Sequence, residues 1–376
     1  MKIYLIISLI FLSLGFSQNE YNSNDIIEMD NGLWTEKFSD EPITGKVYGG
    51  FGEVKPYKKV YMGNLLNGKK EGRWKSYFHS NGKKEFDYNY KDGLEDGVIT
   101  YWFENGKKRV EINFKDGELD GLWTDWDENG KKKSERNYKD GKLDGLRTYW
   151  DENGKKYSER NYKDGELDGL WTDWDENGKK ESEINYKDGE LDGLWTEWFE
   201  NGQKVLEGTN KNGKKDGLWT GWYENGQKQI EFTYKDGKED GLETIWYENG
   251  QKKSETTNKN GKKDGLWTGW YDNGKKKLEG TYKDGKEDGL ETIWDENGQK
   301  KSETTNKNGK KDGLWTGWYD NGKKKLEGTF KNGEINGLWT EWFENGQKKK
   351  EVNYKEGKLI SYKYWNEDGS VFQSIK

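Results

Sequence analysis

The sequence predicts an all-β chain, an elongated and twisted antiparallel β-meander of about twelve β-hairpin repeats of 24 residues each. The first observation behind this prediction is a glycine that returns every 24 residues, at Gly97, Gly121, Gly145, Gly169, Gly193, Gly217, Gly241, Gly265, Gly289, Gly313 and Gly337. The second is a pair of turn signals in every copy. A fixed period of this size is typical of repeat architectures, in which each unit packs on its neighbours.

One repeat, residues 265–288, contains both strands and both turns. Residues 266–271 are rich in aromatic and β-branched side chains, and Asn273-Gly274 follows as a hairpin signal because Gly tolerates a positive φ. Residues 277–282 then form the return strand, and Asp284-Gly285 forms the second turn. An isolated hairpin is marginal in water, so each repeat needs its neighbours.

Comparison of the copies predicts which face of the sheet is packed. Leu266, Thr268 and Trp270 stand in columns that hardly change, and their spacing of two places them on one face of a strand. We expect that face to be the packed one. The column between them is variable and holds Trp267, Arg147, Glu243 and Ile99. We expect this column to be at least partly exposed.

The variable column supplies the candidate binding surface, a row of exposed tryptophans: Trp123, Trp171, Trp195, Trp219, Trp267, Trp315 and Trp339. Such a row could stack on sugars or contact a protein partner. Alternatively, the rings pack only on each other across neighbouring strands, which contributes about 0.5–1.5 kcal/mol per pair beyond burial. The sequence leaves both interpretations open.

Catalytic and metal chemistry have little support in the sequence. His79 is the one histidine and cysteine is absent, so neither a His-based triad nor a Cys nucleophile is available. An acidic residue fills the column of Glu279 in all copies from Asp87 to Glu351, and we expect it to form a cross-strand ion pair with Lys or a hydrogen bond to a turn. Turn carboxylates could ligate calcium weakly, but turn chemistry explains them. We expect no enzyme activity, cofactor or metal.

The two ends of the chain differ from its centre. Residues 1–17 show one lysine and then an apolar run with small residues before position 18, which predicts a signal peptide and an exported protein; an uncleaved anchor is the alternative. The absence of cysteine excludes a lipoprotein anchor. Residues 18–71 are expected to form a leader and an atypical N-terminal capping repeat, and 72–376 the tandem repeats with an incomplete last unit.

The charge pattern limits the classes of partner. The formal net charge is −7, and charges of both signs are interspersed along the repeats. No basic stripe for nucleic acid and no polybasic patch for anionic lipid is present. We therefore expect no nucleic-acid partner.

The repeat resembles the MORN repeat (membrane occupation and recognition nexus) in its longer bacterial variant. The matching features are the Gly-x-Trp-x-x-Trp-Tyr-x-Asn-Gly core that begins at Gly265, the Glu-Gly-x-Tyr return strand that begins at Glu279, and the Asp284-Gly285 turn. Residues 40–47 are also similar to the segment that commonly begins such arrays. The resemblance implies a single long antiparallel meander. Eukaryotic members are linked to scaffolding, dimerisation and membrane or phosphoinositide association, and many bacterial members are labelled antitoxin-like.

These observations favour a non-catalytic, secreted or envelope-associated scaffold that binds a protein. One alternative is a module that binds a glycan, a cell surface or a membrane surface through the tryptophan row, and another is the antitoxin-like role of the family label. Two copies could also join edge to edge through their terminal strands, because an unpaired strand edge is a template for pairing.

Overall fold

The computed structural model describes residues 19–51 and 58–375, in which the regular structure is β-strand. The predicted signal peptide, residues 1–17, lies outside the described residues. The chain divides into two compact units, one ending at Gly178 and the other beginning at Lys179. Within each unit, consecutive strands form antiparallel hairpins, so the predicted all-β meander of hairpin repeats is confirmed.

The first unit begins with short strands and continues with regular hairpins. Its strands are β1 (Glu20–Asn22), β2 (Ile26–Glu28), β3 (Trp34–Glu36), β4 (Gly45–Phe51), β5 (Lys58–Leu66), β6 (Lys69–Tyr77), β7 (Lys84–Lys91), β8 (Leu94–Glu95), β9 (Gly97–Trp102), β10 (Lys108–Lys115), β11 (Glu118–Trp126), β12 (Lys132–Lys139), β13 (Lys142–Trp150), β14 (Lys156–Lys163) and β15 (Glu166–Trp174). Strand β1 pairs with β4 in parallel, and β2 pairs with β3 as a separate small sheet.

The second unit repeats the hairpin to its end. Its strands are β16 (Lys180–Lys187), β17 (Glu190–Trp198), β18 (Lys204–Lys211), β19 (Lys214–Lys215), β20 (Gly217–Trp222), β21 (Lys228–Lys235), β22 (Lys238–Glu239), β23 (Gly241–Trp246), β24 (Lys252–Lys259), β25 (Lys262–Trp270), β26 (Lys276–Lys283), β27 (Lys286–Glu287), β28 (Gly289–Trp294), β29 (Lys300–Lys307), β30 (Lys310–Trp318), β31 (Lys324–Lys331), β32 (Glu334–Ile335), β33 (Gly337–Trp342), β34 (Lys348–Lys355), β35 (Lys358–Trp365) and β36 (Val371–Ile375).

The two turn signals form the two turns of the repeat. Asp284 and Gly285 have φ values of 51° and 81° and link β26 to β27, which matches the two-residue turn in which both central residues need a positive φ. At the other end of the hairpin, the Gly274 N–H donates to the Tyr271 carbonyl at 3.0 Å. Neighbouring repeats are joined at these turns, since the Asp264 carboxylate accepts a hydrogen bond from the Asp284 N–H at 3.1 Å.

The glycine that opens each repeat lies in a β-bulge. Gly265 has a φ of 123°, which suits glycine and few other residues. In the pairing of β24 with β25, Trp267 faces Thr256 and Lys263 faces Asn258, so the β25 strand carries extra residues between these two pairs. Leu266 is one of them. It therefore has no residue of β24 opposite to it.

The face carrying Leu266, Thr268 and Trp270 (the Leu266 face) is not the packed apolar face, so this expectation is wrong. Thr268 is 5% exposed, but Leu266 is 50% exposed because it lies in the bulge. On the opposite face (the Trp267 face), Trp267 lies directly across from Gly280. The buried apolar residues of the repeats lie in the columns of Trp267 and Gly280. They are Ile99, Ile112, Trp219 and Val352. A further buried cluster, Ile26, Ile43, Val47, Leu65 and Trp74, lies at the beginning of the first unit.

From Glu111 onward the acidic column is paired with a lysine of its own strand and not across strands, whereas Asp87, its first member, pairs both with Lys84 of its own strand and with Arg73 across the hairpin. Glu279 forms an ion pair with Lys276, three residues earlier, and faces Thr268 of the neighbouring strand. The Lys276 Nζ also lies 5.8 Å from the ring centroid of Trp294 in the next repeat. The same-strand pair, Lys three residues before Glu, recurs from Lys108–Glu111 to Lys348–Glu351. Where the lysine also contacts a tryptophan of the next repeat, as Lys276 does, the pair links two repeats on the Leu266 face.

Candidate interaction surface

The seven predicted tryptophans lie at the middle of their strands on the Trp267 face. Trp123 and Trp171 belong to the first unit, and the other five, Trp195, Trp219, Trp267, Trp315 and Trp339, belong to the second. Six of them are half-buried. Trp219 is only 2% exposed, so the prediction that it belongs to an exposed row is wrong.

Trp219 is buried because the preceding return strand has no side chain at the point of contact. A Cβ atom at Gly208 would lie 2.1 Å from Cδ2 of the Trp219 ring. The indole N–H donates to the Thr209 carbonyl at 2.9 Å, and the Trp195 ring lies 6.1 Å away, centroid to centroid. The glycine and the indole together form one close-packed contact between adjacent repeats.

The other tryptophan rings also have partners within their own unit. The Trp315 centroid lies 5.2 Å from that of Trp339 and 6.0 Å from that of Phe330. The Trp267 ring lies 5.7 Å from Tyr282, with the Lys263 Nζ 4.9 Å from the Trp267 centroid. These rings therefore pack across neighbouring strands, and only part of each ring surface remains open.

Most of the indole N–H donors are used inside the chain. Trp123 and Trp171 donate to Asp125 at 3.0 Å and Asp173 at 2.8 Å. Trp195 and Trp339 donate to Glu197 and Glu341, each at 3.0 Å. An indole whose donor is already satisfied offers a ligand chiefly the open part of its ring.

A row of exposed leucines on the Leu266 face is the surface that the sequence reasoning missed. We define the leucine row by the members in the second unit, which are 44–53% exposed: Leu194, Leu218, Leu242, Leu266, Leu290, Leu314 and Leu338. The signal was present in the sequence, since each leucine directly follows the glycine that opens its repeat. A residue beside a bulge glycine does not follow the regular two-residue alternation of packed positions.

One carboxyl group on the Trp267 face has a perturbed acidity. Glu291 takes the place that tryptophan occupies in other repeats and faces Thr304 across the hairpin. Burial raises the pKa of Glu291, the neighbouring Glu287 carboxylate raises it further, and Lys311 lowers it. Folding thus makes the Glu291 carboxyl group a weaker acid than an exposed glutamate.

Two negative findings concern the described part of the chain alone. Residues 19–51 and 58–375 contain no group of three or more His, Cys, Asp and Glu side chains arranged to hold a metal ion. In the same residues, no helix has the length and apolar character needed to cross a membrane.

Comparisons with solved structures give distant similarities. The crystal structure of TcdB2-TccC3 is 12% identical over 85% of this chain and 19% of that chain, with a TM-score of 0.18. The crystal structure of TcdB2-TccC3-Cdc42 is 11% identical over 93% of this chain and 19% of that chain, with a TM-score of 0.17. This chain spans about a fifth of their length, 19% in both cases. At TM-scores this low, these similarities say nothing about the fold or the function of this chain. No curated protein matches the chain.

The model of the MORN repeat variant family matches eleven tandem segments of 22 residues each. They are residues 95–116, 119–140, 143–164, 167–188, 191–212, 215–236, 239–260, 263–284, 287–308, 311–332 and 335–356. Each matched segment begins shortly before an opening glycine and ends at the first residue of the following turn, which is Asp or Asn in ten segments, as in 263–284, and Glu356 in the last. These segments cover well over half of the sequence, so the chain belongs to the MORN repeat variant family.

Proposed function

We propose that the chain is a non-catalytic, exported repeat scaffold that binds a protein partner through the leucine row. The observation that carries the proposal is the exposure of that row. Seven leucines in the second unit, one per repeat, each keep 44–53% of their surface open. Exposed apolar side chains are unfavourable in water, and a surface that repeats them in every hairpin is a candidate interaction site.

The geometry of the row favours a protein surface as its ligand. Each repeat adds a pair of strands, and neighbouring strands lie about 4.8 Å apart, so successive leucines are about 10 Å apart. Thr268, between Leu266 and Trp270 on the same strand, is buried and offers no competing contact. A partner with apolar side chains at a similar spacing would bury several leucines at once. The export of the scaffold rests on residues 1–17 alone.

The test compares two variants of the same three hairpins. In the first variant, Leu242, Leu266 and Leu290 are replaced by Ser; in the control, the exposed lysines Lys253, Lys277 and Lys301 are replaced by Ser. Partners are captured by cross-linking in extracts of the source cells and then purified, and their affinity is measured by calorimetry. We expect the leucine variant to lose binding and the lysine control to keep it. Equal binding by both variants would refute the proposal.

The two alternative functions have weaker support. Glycan binding would use the tryptophan row, but Trp219 is buried and several of the other indoles donate their N–H within the chain. Binding to a panel of purified polysaccharides that is lost in a Trp267→Ala, Trp315→Ala double variant would favour that alternative. The antitoxin-like role comes from the family label, and no contact described above favours it.

A further inference from the structure

Three arginines meet on neighbouring strands of the first unit, on the Trp267 face. Arg136 of β12 lies directly opposite Arg147 of β13, and Arg147 lies directly opposite Arg160 of β14. The chain has five arginines in total, Arg73, Arg109, Arg136, Arg147 and Arg160, and uses lysine elsewhere. Like charges directly opposite each other destabilise a sheet, so this arginine cluster (Arg136, Arg147 and Arg160) needs an explanation.

Aromatic rings hold the guanidinium groups in place. The Arg136 Cζ lies 4.2 Å from the Trp123 ring centroid, and the Arg160 Cζ lies 3.9 Å from that of Trp171. The Arg147 Cζ lies 4.7 Å from the Tyr149 ring centroid. Cation–π contacts of this kind fix the planar guanidinium and reduce the entropy that it loses when it binds an anion.

The arginine cluster is only partly neutralised by the chain. Arg136 lies 3.4 Å from the Asp125 carboxylate. In the described residues, no acidic side chain lies within 4.0 Å of Arg147 or Arg160 in an ion pair. The Nε atoms of all three arginines are buried without a hydrogen-bond partner. Buried donors without partners are rare in native proteins and call for a reason.

We propose that Arg136, Arg147 and Arg160 form a site that binds the carboxylate side chains of an acidic peptide segment. A guanidinium edge matches a carboxylate with two parallel N–H···O bonds, and an incoming carboxylate would offset the repulsion between the opposed arginines. The site is separate from the leucine row, because it lies on the first unit and on the other face of the repeat. Either proposal can fail without the other.

The charge balance and the covered rings identify the ligand class. Asp125 pairs with Arg136, and Asp173 lies two residues beyond Trp171, which is opposite Arg160. Two carboxylates beside three arginines leave one net positive charge, which suits a carboxylate better than a phosphate dianion. A sugar would stack on an open aromatic face, but Arg136 already lies over Trp123, and Arg160 over Trp171. The carboxylates of an acidic peptide bind the guanidinium groups and do not need an open aromatic ring.

The test titrates the purified full-length chain with a fluorescent peptide of alternating Glu and Gly residues. The comparison peptide has Gln in place of Glu. We expect the Glu peptide alone to bind, and Arg147→Gln to weaken its affinity by about tenfold or more. Arg147→Lys keeps the charge but loses the bidentate hydrogen bond. Its affinity for the Glu peptide is therefore expected to lie between that of the unmodified chain and that of Arg147→Gln. Arg109→Gln, an arginine outside the cluster, is the control and is expected to bind as the unmodified chain does.

A second readout separates binding from folding. Because Arg147→Gln removes one of three opposed positive charges, it is expected to raise the melting temperature while it weakens peptide binding. Absence of binding by the unmodified chain, or an unchanged affinity of Arg147→Gln, would overturn the proposal. Stronger competition by inorganic phosphate or polygalacturonate than by the Glu peptide would show that the ligand class is wrong.

Discussion

Gly208 lies directly beneath the indole ring of Trp219, and this contact buries the most enclosed tryptophan of the second unit. The two residues belong to consecutive repeats. Their fit shows how water is excluded locally between consecutive repeats: a missing side chain on one strand admits a large ring from the next.

The Gly208→Ala variant is expected to lose about 1–3 kcal/mol of unfolding free energy, because a methyl group would overlap the Trp219 ring. The added Cβ would lie 2.1 Å from the nearest ring atom. Gly280→Ala is the matched control, since its Cβ would lie 3.7 Å from Glu291, an ordinary contact. Urea unfolding of both variants checks the difference. Equal loss in both would contradict the packing described here.

The Leu266→Ser variant is expected to change the unfolding free energy by no more than about 0.5 kcal/mol, as exposed positions usually do. Half of the Leu266 side chain is open, at 50% exposure. If the Leu266 face were the packed one, a comparable truncation would cost about 2–5 kcal/mol. Thermal and urea unfolding monitored by circular dichroism distinguish these two values.

The Asp264→Ala variant is expected to cost about 0.5–1.5 kcal/mol of unfolding free energy, because it removes the hydrogen bond that joins β25 to the turn at Asp284. The Asp264 carboxylate accepts the Asp284 N–H at 3.1 Å. Amide hydrogen exchange at Asp284 is expected to become faster than in the unmodified chain. The control is Asp272→Ala, in the other turn of the same hairpin. Unchanged exchange at Asp284 would argue against the link between repeats.

The Glu291→Gln variant is expected to raise the melting temperature at neutral pH. Burial and Glu287 raise the pKa of Glu291 in the folded chain above its ordinary value of 4.5. A carboxyl group with a raised folded pKa favours folding only while it is protonated, so stability falls as the pH rises from the unfolded pKa through the folded pKa. The advantage of Glu291→Gln should therefore vanish near about pH 4. A difference in melting temperature between the variant and the unmodified chain that persists at this pH would contradict a raised pKa of Glu291.

Local chemistry made the hairpins predictable, and long-range register made the faces hard to predict. Gly274, Asp284 and Gly285 adopt positive φ values, and the sequence signals such positions directly through Gly, Asn and Asp. The exposure of Leu266 depends on extra residues in β25, and this bulge appears only once the strands are paired. Likewise, Arg136, Arg147 and Arg160 are separated in sequence and meet only through the pairing of β12, β13 and β14. Simple two-residue alternation carries no information about either feature.

The most direct test of the central claim is site-specific photo-cross-linking from the two faces of β25. A benzophenone amino acid is placed at Leu266 in one variant and at Lys263 in another, where the native lysine lies over the Trp267 ring. The variants are exposed to the captured partner and irradiated. The account predicts a covalent adduct from position 266 and none from position 263. An adduct from position 263 alone would place the partner on the opposite face and contradict the claim.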